Sequence, residues 1–150
     1  MSNITEDKLK KIENLLITER KDWSTKIQSL VGTIDKAHKI AKSQTLMLSY
    51  RHMIVDKIIE LNILLGKKRA NDANYKKIRY QYYKTQHDVR LQHSEIIEYI
   101  ASDMSLRIRE TSLIENQISY YKQANETLDK MGFAIKNRVI LATNDIWFNT

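Results

Sequence analysis

Between residues 67 and 90 the chain gathers side chains that could hold a polyanion. Eight are basic (Lys67, Lys68, Arg69, Lys76, Lys77, Arg79, Lys84 and Arg90) and two are acidic (Asp72 and Asp88), so the window carries +6 of the formal net charge of +7. The rest of the chain is nearly balanced, with 17 basic and 16 acidic groups. Tyr75, Tyr80, Tyr82 and Tyr83 fall in the same window. Cations can follow a phosphodiester backbone, and a phenol ring offers a face on which any base can stack. That is the chemistry of a sequence-tolerant single-strand binder. The same composition also describes a solvated helix face with half-buried tyrosines packed beneath it. The two readings differ only in where the fold puts the rings and the charges.

Other chemistry is sparse. The glycines are Gly32, Gly66 and Gly132, and Gly66-Lys67 lacks the earlier glycine and the following Ser or Thr of a phosphate-binding loop. His38, His52, His87 and His93 occur at no metal-ligand spacing, and the chain has no cysteine. Neither a metal nor a cofactor is expected. Glu95, Glu98 and Asp103 lie close along one segment, but acids on an amphipathic helix need no catalytic explanation, and no enzymatic activity is expected.

The elements that must carry these residues are helical. Absence of proline and scarcity of glycine remove most turn chemistry, while Lys, Glu, Leu, Ile and Gln fill the space between. The expected fold is all-α, a helical bundle with long helices. Thr5 followed by Glu6 and Asp7 predicts a helix start, and Leu9, Ile12, Leu15 and Leu16 recur on one face. The period continues through Trp23, Ile27 and Leu30 to a stop at Gly32, with the helix either continuous or broken after about Glu19. A second apolar run from Ile34 reaches Leu65, where Gly66 predicts an end and Gly66 to Asn74 a polar connector. A helix from Tyr75 places Tyr75, Arg79, Tyr82 and Tyr83 on one face.

After Ser94-Glu95 a long periodic stretch runs to Leu128, imperfect because Arg107 and Thr111 fall where an ideal seam is apolar. Gly132 predicts an interruption. The segment beyond it holds Phe133, Ile135, Val139, Ile140, Ile146 and Trp147 around much of a helix circumference. Either it fills the domain core or self-association buries it.

A chain of 150 residues is read as one domain, with an N-terminal part to about residue 74 and a second part over 75–150. Its charged start predicts no signal peptide, and Met53 to Leu65 is too interrupted by polar residues to span a membrane. Lack of cysteine fits a reducing cytoplasm.

Three pieces of the second half carry a resemblance. They are Lys77-Ile78-Arg79-Tyr80-Gln81-Tyr82-Tyr83, then Ser94-Glu95 with Asp103, and Leu128-Asp129-Lys130-Met131-Gly132-Phe133-Ala134-Ile135-Lys136. In order and spacing, over roughly residues 76–148, the chain resembles the UvsY-type recombination mediators of T-even-like bacteriophages. The resemblance implies a non-enzymatic protein of phage recombination and repair, acting in the host bacterial cytoplasm. Such a protein binds single-stranded DNA, forms a ring-like homo-oligomer, hexameric or heptameric, and helps a UvsX-like recombinase replace the phage single-strand-binding protein.

It also implies DNA contact at Lys77 and Arg79 and subunit association through the apolar helix from Phe133. Residues 1 to about 74 carry no matching motif. Combining charge map and resemblance, the expected DNA-binding residues are Lys77, Arg79, Lys76, Lys84, Tyr82, Tyr83, Lys67, Lys68 and Arg69. Those expected at the subunit contact are Phe133, Ile135, Val139, Ile140, Ile146 and Trp147. The competing class is a helical coiled-coil structural or adaptor protein whose basic patch contacts an acidic protein.

Overall fold

The first helix begins where Thr5 can cap it. In the computed structural model, which describes residues 4–148 apart from the side chains of Ala37, Ala142 and 144–148, the Thr5 hydroxyl accepts the backbone N–H of Lys8 at 3.3 Å. Thr5 also gives its carbonyl to Leu9. From there α1 (Glu6–Val31) runs without a break. It stops at Gly32, where the Thr33 backbone and hydroxyl both bond the orphan carbonyl of Leu30, the hydroxyl at 2.7 Å. No glycine among the described residues has positive φ, so a threonine rather than a left-handed glycine closes this end.

A short 3-10 turn (Ala37–Lys39) leads into α2 (Ile40–Thr85), and α3 (His93–Phe148) follows; the described residues contain no strand. The polar connector expected over 66–74 is instead the interior of α2. One glycine in a helix costs about 1 kcal/mol, and the buried side chains of Leu65 and Lys68 on either side anchor the helix through it. Gly132 likewise lies inside α3 rather than interrupting it, its bare Cα facing the side chain of Met47. The true break between α2 and α3 is residues 86–92. Gln92 opens α3 with half of a capping box, its backbone N–H donating to the Glu95 carboxylate at 3.3 Å.

Two compact units divide the chain, and neither is a contiguous half of it. One takes residues up to Leu16 with Leu61–Asn116, the other Ile17–Glu60 with residues from Gln117 onward. Each is a three-helix bundle drawing one segment from each helix. In the second unit Trp23 meets Tyr50 and Tyr121 edge-on, over a core of Ile27, Leu30, Met47, Ile54, Leu128, Met131 and Ile135. In the first, Leu9, Leu65, Tyr83, Ile96, Ile100 and Ile114 are buried.

The polar seam residues explain themselves in the first unit. Buried Arg107 donates to Asp72 at 3.0 Å and lies over the Tyr75 ring. Buried Lys68 pairs with the same carboxylate at 3.0 Å, and Thr111 reaches it at 3.5 Å. No described helix is long and apolar enough to cross a membrane.

Candidate nucleic-acid interface

The end of α2, the connector and the start of α3 form an antiparallel hairpin with a regular register. Tyr75 meets Arg107, Arg79 meets Asp103 and Tyr83 meets Tyr99, so each four-residue step along α2 is matched by a four-residue step back along α3. This register makes a rigid centre. Arg79 donates from Nε to Asp103 at 3.0 Å and from Nη2 to the Tyr83 hydroxyl at 2.9 Å. The Tyr83 hydroxyl donates to the same Asp103 oxygen at 2.6 Å. Burial, then the bond to Asp103, pushes the Tyr83 phenol above its ordinary pKa, so the ring stays neutral. The bond to Tyr83 and the Asp103 charge hold Arg79 firmly as a cation.

An open groove of about 430 Å³ lies beside this centre, lined by Asn74, Lys77, Ile78, Arg79, Gln81, Tyr82 and Gln86. The Arg79 guanidinium sits 4.6 Å from the Tyr82 ring centroid and 4.9 Å from that of Tyr83, which fixes one face of Tyr82. Cation, ring and side-chain amides therefore share one surface of α2. A second groove, of about 480 Å³, is mostly apolar: Ile97, Ile100, Ala101, Met104 and Ile108 from α3, with Lys76, Tyr80 and His93.

The expected residues separate on this framework. Lys77, Arg79 and Tyr82 come together in the first groove, while Lys76 borders the second. Lys67 and Lys84 are exposed, and among the described residues Lys67, Lys76, Lys77, Lys84 and Arg90 have no ion pair. Lys68 points inward to Asp72 and Glu110. Arg69 makes an exposed pair with Glu115 at 2.8 Å. Tyr83, expected as a base platform, is 7 % exposed and forms part of the core with Ile96 and Ile100.

Of the residues expected at a subunit contact, Phe133, Val139 and Ile140 are exposed. Ile135 is 1 % exposed and fills the second unit's core, and the side chains of Ile146 and Trp147 lie outside the described residues.

Sequence reasoning missed Tyr99 and His87. Tyr99 stacks on Tyr83 at 5.3 Å with 24° between planes, and the His87 ring lies 5.7 Å from Tyr83 and 6.1 Å from Tyr99. His87 follows Tyr83 by four residues and its backbone N–H bonds the Tyr82 carbonyl at 3.1 Å, whereas only the hairpin register brings Tyr99 there. No group of three His, Cys, Asp or Glu able to hold a metal ion occurs among the described residues. Comparison with family models, with curated proteins and with solved structures finds no match to this chain.

Proposed function

We propose that this chain is a non-enzymatic single-stranded DNA-binding protein acting as a recombination mediator, which helps a UvsX-like recombinase displace the single-strand-binding protein in an infected bacterial cytoplasm. The groove on α2 carries the reading: unpaired Lys77, a Tyr82 ring ordered by Arg79, and the amides of Asn74, Gln81 and Gln86 line one surface. Lys77 and Lys84 take phosphates, Tyr82 takes a base, and Arg79 holds that ring in place. Lys68 and Tyr83 act as structural residues. A homo-oligomeric ring of such subunits multiplies individually weak contacts through effective concentration. Mediation follows if the bound strand has a geometry the recombinase prefers, since only differential affinity shifts an exchange equilibrium.

The test is a single-stranded oligonucleotide titration at several salt concentrations with Lys77→Ala/Lys84→Ala. Losing two phosphate contacts should flatten the salt slope by about 1.4. Unchanged affinity and slope would overturn the assignment. One observation favours a second reading, a helical adaptor: the mostly apolar groove beside Lys76 suits a partner helix with acidic residues at its border. An adaptor shows no saturable oligonucleotide binding at moderate salt.

A further inference from the structure

Tyr99 stands where a stack of rings stops at solvent. Its inner neighbour, Tyr83, is buried and fixed by two hydrogen bonds, one given to Asp103 and one taken from Arg79. Tyr99 lies nearly parallel on that ring, yet 46 % of it remains exposed. One face is therefore covered, and the exposed area belongs to the other face and the edge. His87 borders the pair, tilted 37° to Tyr99. A ring held this way loses little freedom when something stacks on it, so the gain from stacking is not offset by ordering the side chain.

We propose that the outer face of Tyr99 is a nucleobase seat, a second stacking platform beside Tyr82. This rests on the single-strand reading above and names where a further base goes. Tyr83 is the wall between the two platforms: Tyr82 meets it edge-on at 5.3 Å, and Tyr99 covers its face. The charge near Tyr99 says which part of a nucleotide it takes. Glu95, four residues before Tyr99 on the same face of α3, is exposed and caps that helix. Carboxylates repel a phosphate but tolerate a neutral base, so the backbone stays with the α2 lysines while the base reaches Tyr99. The seat selects an aromatic ring and not a particular base, because every base presents a π face.

The experiment uses the full chain with two probes, an oligothymidylate and an abasic oligonucleotide of the same length, whose phosphates match but which lacks bases. Tyr99→Leu keeps apolar cover over Tyr83 and removes the π face; Tyr99→Phe restores it, and circular dichroism checks that both fold. Tyr99→Leu should weaken oligothymidylate binding roughly tenfold or more. It should leave abasic affinity and the salt slope unchanged, and Tyr99→Phe should bind as the unaltered chain does. Equal loss for both probes, or no loss for either, overturns the seat while leaving single-strand binding standing. If the unaltered chain binds neither probe, the seat and the reading beneath it fall together.

Discussion

Asp103 accepts from both Arg79 and Tyr83, and this sharing joins the stability of the hairpin to the state of one phenol. Tyr83 has its pKa raised by burial and by Asp103, and Tyr121 in the other unit by burial and by its bond to Glu19. An unfolded tyrosine ionises near pH 10. Above that pH the unfolded chain sheds protons that the native phenols keep, so the unfolded state binds fewer protons and stability falls as pH rises. Below about pH 10 both contributions are fully present. Urea unfolding followed from pH 8 upward should show a midpoint that is flat and then drops beyond about pH 10. The drop should be shallower in Tyr83→Phe and Tyr121→Phe, and shallowest in the double variant. A midpoint independent of pH through that range would mean that the phenols are not confined as described.

The elements show why part of the fold was legible and part was not. Thr5 with Glu6 and Asp7 predicts the start of α1 correctly, because a cap acts through its own local bonds. Gly66 and Gly132 mislead, because a helix tolerates a glycine whenever the turns on both sides bury enough to hold it, and burial is a tertiary property. Arg107 and Thr111 look like faults in an apolar seam until Asp72 on α2 meets them. Tyr99 and Asp103 become readable once the connector is placed at 86–92, since the antiparallel register then puts 99 opposite 83 and 103 opposite 79. A connector placed at 66–74 hides that register.

Gly66 offers a sharp test of helix continuity. A Cβ built there meets nothing within 4 Å and the residue lies inside α2. Gly66→Ala should therefore stabilise the protein by about 1 kcal/mol, through helix propensity and a less free unfolded chain. A raised urea midpoint with unchanged slope is the expected result. A lowered midpoint would show that the chain needs a flexible joint at this position, as the sequence alone suggested.

At the scale of the whole molecule, what needs explaining is apolar surface left uncovered near the C-terminus. Phe133 is 69 % exposed, and Val139, Ile140 and Leu141 are exposed with it, while Ile135 on the same helix is sealed in the core. Val55, Ile59, Ile63 and Leu64 of α2 form a comparable exposed cluster, and a second copy of the chain could cover either surface; the C-terminal one is open to a direct test. Truncation after Gly132 tests this badly, because it removes Ile135 and with it part of the core. Phe133→Glu/Ile140→Glu leaves Ile135 in place and charges the exposed side. Sedimentation of the unaltered chain should give a mass several times that of one chain, and the double variant should sediment as a smaller species with the same helical content. If the groove on α2 binds DNA as proposed, the smaller species should also bind long oligonucleotides more weakly. Affinity for an oligonucleotide short enough to reach one subunit should be retained, since multivalency is lost and the individual site is not. A double variant with undiminished mass would place the subunit contact elsewhere. A monomeric unaltered chain would leave single-site affinity alone to explain binding.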